Sequence, residues 1–188
     1  MVVASPIIQK LTLEEFLQRP ETKPASEYIK GEITQKPMPQ GKHSTIQFEL
    51  ASAINQIGKP KKIAYAWPEL RCTFADRSIV PDIAVFAWDR IPRDENNEIT
   101  DRFTIPPDWT IEILSPEQSA NQVIEKIVFC LHNGSQLGWL IDPKDRSVMV
   151  FQGDRLPAIK SNDDILPVLD SLQEWQLSAT ELFNWLVF

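Results

Sequence analysis

Cysteine is scarce in this 188-residue chain: Cys72 and Cys130 are the only two, and they lie far apart. Neither stands at a metal-ligand spacing, so they read as buried thiols of an intracellular protein rather than as a bridge. Apolar runs are short as well. None approaches the roughly 18–20 residues that cross a bilayer, which excludes a spanning helix. The opening "MVVASPIIQK" lacks the basic and long apolar regions of a secretory signal, and a cytoplasmic, membrane-free protein is expected. Positive charge is also in deficit, with 19 Lys and Arg against 26 Asp and Glu and a formal charge of −7. That balance argues against a tight, non-specific grip on a polyanion, yet leaves room for an enzyme that meets nucleic acid through a local basic strip and a bound cation. Six glycines against fifteen prolines mark stiff loop ends.

What the chain does have is one domain's worth of core, expected over residues 1–188, with 43% hydrophobic and 24% charged residues. "LTLEEFLQRP" reads as a short helix capped by Thr12, with Glu15 as its capping-box partner and Pro20 as its end. "SEYIKGEITQKP" reads as a hairpin about Gly31, anchored by Ile29 and Ile33. In "GKHSTIQFELASAINQIGKP", Ile46, Leu50, Ile54 and Ile57 recur at helical spacing, with Gly58 as the expected stop. Strands are expected at "KIAYAW", "ELRCTF" and "PDIAVFAW", followed by a long surface loop over residues 89–108. A strand "WTIEILS", a helix with core face Val123, Ile124, Ile127, Val128 and Leu131, and strands "LGWLID" and "SVMVFQ" complete a crossover unit. A last helix is capped by Ser178 with Glu181. The fold class is therefore α/β, a mixed sheet flanked by helices.

Two of these strands carry a carboxylate where an apolar side chain is expected. Asp82 precedes Ile83-Ala84-Val85-Phe86, and Glu112 lies between Ile111 and Ile113. A buried carboxylate costs several kcal/mol unless compensated. Two close together raise each other's pKa, and a shared divalent ion resolves both difficulties. Strand alternation puts Glu112 on the face opposite Ile111 and Ile113. If the strands are neighbours, Asp82 and Glu112 converge, with the Ile113 backbone carbonyl as a third ligand. Taken alone, Asp82 also suits a turn, Glu112 a solvent-facing position, and Lys126 a solvated lysine about 60° from its helix's apolar face. The six tryptophans fall at element ends without interleaved Lys or Arg, and read as packing rather than as a stacking platform.

Seven segments in order, "LTLEEFL", "EYIKGEI", "GKHSTI", "VPDIAVF", "IEILSP", a helix carrying "EK", and "GWLIDP", resemble the PD-(D/E)XK nuclease superfamily. More narrowly, they are similar to its Uma-type restriction-endonuclease-like family. The resemblance implies a restriction-endonuclease-like fold and a Mg²⁺-dependent endodeoxyribonuclease, with Mn²⁺ as a substitute, acting on DNA as a homodimer. It implies catalytic roles for Asp82, Glu112 and Lys126, with Asp82, Glu112 and the Ile113 carbonyl at the metal. Glu27, His43 and Gln122 are candidates for a supporting layer. Two departures stand out: Leu114 occupies the place, two after the glutamate, where the superfamily usually has a basic residue, and Gln122 occupies a place where relatives often carry an acid. They keep open a catalytically inactive nuclease-fold binding or scaffolding module, and a hydrolase of some other phosphate ester.

Overall fold

The computed structural model describes residues 11–116 and 118–188. The chain runs α1 (Leu13–Leu17), β1 (Ser26–Ile29), β2 (Glu32–Gln35), α2 (Gly41–Lys61), β3 (Ala64–Pro68), β4 (Cys72–Phe74), β5 (Arg77–Ile79) and β6 (Ile83–Ala87). It continues through β7 (Trp109–Ile113), α3 (Ala120–His132), β8 (Leu137–Asp142), β9 (Ser147–Gln152), β10 (Ala158–Ser161) and α4 (Ala179–Asn184). The strands form two sheets, one ordered β2-β1-β5-β4 and a larger one ordered β10-β9-β8-β7-β6-β3. Among the described strands only β7 and β8 form a parallel ladder, because α3 carries the chain back over the sheet between them. This is the mixed α/β architecture with flanking helices that the periodicity indicates.

Both expected capping boxes form. Thr12 and Glu15 exchange hydrogen bonds at α1, as Ser178 and Glu181 do at α4. The first hairpin turns on Lys30-Gly31, both at positive φ. Its Ile29 packs inward, whereas Ile33 is 40% exposed and anchors nothing.

The helix expected to stop at Gly58 runs through it to Lys61, and Lys62 caps it in the left-handed conformation. Gly58 has a different job there: a Cβ on it would lie 2.4 Å from the Ala64 carbonyl oxygen. The glycine lets β3 cross the helix closely instead of ending it. "ELRCTF" shortens to β4, which turns back at once into β5. Neither β5 nor β10 was expected from the pattern, since three or four residues give periodicity little to act on.

Ile46, Leu50 and Ile54 on α2 are fully buried against Trp109, Ile111 and Ile113 of β7 and Ile83 and Val85 of β6. On the opposite side of the large sheet, Val123 and Ile127 of α3 pack on Leu140 and Phe151. The loop over residues 89–108 is pinned by buried Phe103 and by Asp108, whose carboxylate accepts from Arg90, Gln136 and the Ala87 amide.

Candidate functional site

The site forms where the two sheets meet between α2 and α3. In the β6/β7 ladder Ile83 faces Ile111 and Ala84 faces Thr110. One step further in that register sets Asp82 opposite Glu112, a placement that is destabilising for two like charges. Both are almost wholly buried, at 2% and 1% exposure. The alternation is as expected: Ile111 and Ile113 join the apolar core under α2, and Glu112 projects from the other face.

Cations from distant parts of the chain converge on these acids. Lys126 reaches from α3 to Glu112 Oε2 at 2.9 Å and to Glu27 Oε1 at 3.0 Å. It is 4% exposed, so the solvated position suggested by its angle from the apolar face is not the one it takes. The carboxylate face of β7 accounts for that, because a lysine at this point of α3 meets acids rather than water. Glu27, from β1 of the smaller sheet, also accepts the Val80 amide at 2.7 Å, which ties that sheet to the loop carrying Asp82.

Asp82 is fully engaged. Its Oδ2 accepts the Ile113 amide at 2.7 Å and lies 3.1 Å from His43 Nε2. Its Oδ1 accepts from Lys36 at 2.5 Å, and its backbone carbonyl accepts from Gln47 and from the Glu69 amide. His43 and Gln47 are one turn apart on α2, so that helix holds the aspartate by both side chain and backbone.

Burial alone would raise the Asp82 carboxyl. Lys36 and His43 outweigh it and hold the group well below the usual carboxylate range. Burial is also the main influence on Glu112, and here it prevails. With Asp82 and Glu27 adding to it against the pull of Lys126, the carboxyl is pushed up. Burial would lower Lys126, but Glu112, Glu27 and Asp82 together keep its ammonium charged and raise it.

Two buried polar atoms in this cluster have no partner among the described residues: Glu112 Oε1 and His43 Nδ1. A lone-pair-rich oxygen buried without a donor is a costly feature, and it is the feature that a cation would relieve. Among the described residues no group of three or more His, Cys, Asp or Glu is arranged to hold a metal. Magnesium does not require one, since it is commonly held by one or two carboxylates with waters and substrate oxygens completing its shell. The buried carboxylates of Asp82 and Glu112, the latter with one unpartnered oxygen among the described residues, therefore fit such an ion in chemistry. An open groove of about 410 Å³ approaches the cluster at Val80, with Lys23, Met38, Glu69 and Arg71 among its other lining residues.

Of the residues singled out in the sequence, the fold brings together Asp82, Glu112, Ile113, Lys126, Glu27 and His43. Gln122 is not among them. It is exposed on the first turn of α3, and its side chain makes no hydrogen bond among the described residues. Leu114, which stands where the superfamily usually has a basic residue, is partly buried against the α3 core, and Lys126 pairs with Glu112 instead. Sequence reasoning missed Lys36 and Gln47. Two acids were expected inside, with a divalent ion to compensate them, and nothing in the sequence marks Lys36 out from the other lysines and arginines as a partner for Asp82.

No curated protein matches the chain. The chain is similar to a solved structure described as a putative nuclease belonging to DUF820 from Anabaena variabilis ATCC 29413. The two are 55% identical with a TM-score of 0.92, and the match covers 94% of this chain and 99% of the other. The family model for Uma2, described as "Putative restriction endonuclease", matches residues 13–180, and the chain belongs to that family.

Proposed function

We propose that this protein is a Mg²⁺-dependent endodeoxyribonuclease that hydrolyses phosphodiester bonds, with Mn²⁺ able to replace Mg²⁺. The observation that carries this reading is the facing pair of buried acids, Asp82 and Glu112, with one free oxygen on Glu112 and Lys126 alongside. A fold gains little stability from burying such a set, so its presence calls for another explanation. Membership of the family described as "Putative restriction endonuclease" and likeness to a structure described as a putative nuclease support the same reading.

In this account Asp82, Glu112 and the Ile113 carbonyl would hold the metal ion. When bound, the ion polarises a phosphoryl oxygen and lowers the pKa of a water. Lys126 directs its ammonium at the charge that grows on the phosphoryl group, or orients the attacking water. Glu27 positions Lys126 through the 3.0 Å contact, and His43 fixes the rotamer of Asp82. DNA as substrate, a homodimer able to cut both strands, and a cytoplasmic location belong to the same proposal. No described helix is long and apolar enough to cross a membrane.

The test is cleavage of supercoiled plasmid with Mg²⁺ or Mn²⁺ by wild type, Asp82→Ala and Glu112→Ala. Metal-dependent nicking by wild type alone is expected, and equal background from all three proteins would reject the proposal. One observation favours a second reading, a non-catalytic module that keeps the fold: both oxygens of Asp82 are already occupied by Lys36, His43 and the Ile113 amide. Calorimetric titration separates the two, since a retired site binds Mn²⁺ no better than Asp82→Ala does.

A further inference from the structure

We infer that Lys36 is a resident counter-ion of Asp82, which leaves Asp82 Oδ1 when the site takes up a divalent cation and thereby sets how tightly that cation is held. The inference rests on the metal-dependent reading above and adds to it a residue that the catalytic pattern does not contain.

The acceptor count is the first ground. Asp82 Oδ2 has two donors anchored in rigid elements, the Ile113 amide within β7 and His43 within α2. Oδ1 has one, the Lys36 ammonium. A metal bound through Oδ1 therefore needs only Lys36 to move, whereas one bound through Oδ2 must break into a strand and a helix. The oxygen that Lys36 vacates and the unpartnered Glu112 Oε1 are then the free oxygens of the facing pair.

The edge position of the segment is the second. Lys36 follows directly on β2, the outermost strand of the smaller sheet, which pairs with β1 alone. All four β2 residues are exposed, so little packing holds this segment. The side chain itself is 8% exposed and shares its ammonium between Asp82 and the Val80 carbonyl, 2.8 Å away. A lysine suits such an exchange. It is a point charge on a flexible stem, without the fixed two-pronged geometry by which an arginine would lock the carboxylate.

Charge is the third ground. Glu27, Asp82 and Glu112 are three buried acids facing Lys126 and Lys36, with His43 as a further partner. Without metal the site needs Lys36 to stay close to neutral. With a divalent ion present, the ammonium would be a like charge within reach of that ion, and repulsion would drive it off.

Two measurements on the full chain test this. Mn²⁺ is titrated calorimetrically into wild type, Lys36→Met and Lys36→Arg. Loss of the competing charge in Lys36→Met is expected to tighten Mn²⁺ by roughly tenfold or more, while Lys36→Arg gives no tightening. Separately, wild type is acetylated briefly with and without Mn²⁺ and digested for mass spectrometry. Lys36 is expected to be protected without Mn²⁺ and labelled with it, a readout that does not depend on a variant folding. Equal Mn²⁺ affinity in wild type and Lys36→Met, with Lys36 protected throughout, overturns this inference while leaving the metal site standing. Absence of Mn²⁺ binding in both proteins overturns it together with the metal-dependent reading.

Discussion

Asp108 and Glu112 sit four residues apart, just before and within β7, and are equally buried at 0% and 1% exposure. Their surroundings treat them very differently. Both oxygens of Asp108 are satisfied: Arg90 and Gln136 donate to Oδ1 and the Ala87 amide to Oδ2. Arg90 also keeps a third of its side chain in water. Among the described residues Glu112 has Lys126 on one oxygen and nothing on the other, and that lysine is shared with Glu27. Burial therefore does not distinguish the two acids; satisfaction does. A carboxylate with donors on both oxygens closes a loop, and one left with a free buried oxygen is available to a ligand.

Substitutions at the two positions should separate these roles. The largest effect is expected for Glu112→Gln in the plasmid assay, where activity falls at least about a hundredfold. Urea denaturation of the same variant near neutral pH should change by no more than about 1 kcal/mol, because an amide leaves Lys126 paired with Glu27 and replaces a carboxyl that burial already keeps largely protonated. Asp108→Ala should do the reverse. It strands Arg90, Gln136 and the Ala87 amide, at a cost of about 3 kcal/mol, the low end for a broken buried pair since Arg90 stays partly hydrated. Mn²⁺ affinity of the folded Asp108→Ala protein should match wild type.

The pH dependence sharpens the contrast. In the metal-free protein the Glu112 carboxyl stands raised from 4.5 to about 8, so the folded chain binds more protons than the unfolded one across that window. On this group alone, stability then falls as pH rises from about 4.5 through about 8. Glu112→Gln should lose that slope in denaturation measured across the window. Asp82, held low, acts with the opposite sign: its contribution is present above its ordinary value of 3.8 and is lost as pH falls below that. The smallest expected effect is at Gln122, which lies outside the cluster. Gln122→Glu places an acid in the first turn of α3 and should raise stability by about 0.3–1 kcal/mol, read from the melting temperature, without altering Mn²⁺ binding.

These two acids also mark how far the sequence can be read. Glu112 was legible because a strand shows its alternation locally, and the isoleucines on either side assign the glutamate's face. The capping boxes of α1 and α4 were legible for the same reason, each being complete within four residues. Asp108, in "IPPDW", looked like the end of a loop. Its partners lie 18 and 28 residues away, and only the folded chain brings them together. Lys36 was hidden in the same way, 46 residues from Asp82 and beside an exposed edge strand with no inward-facing pattern. Gly58 shows a local signal overruled: it reads as a helix stop, yet the close passage of β3 requires a glycine inside the helix. Lys126 is the reverse of Asp108, since its place on the helix suggested water and the carboxylates beneath it decided otherwise.

The most direct check is a crystal of the protein soaked in Mn²⁺ and measured for anomalous scattering. The account expects a peak within coordination distance of both Asp82 and Glu112, with the Lys36 ammonium withdrawn from Asp82 Oδ1. A fully soaked crystal with no peak between the two carboxylates, and Lys36 still bonded to Asp82, would contradict it.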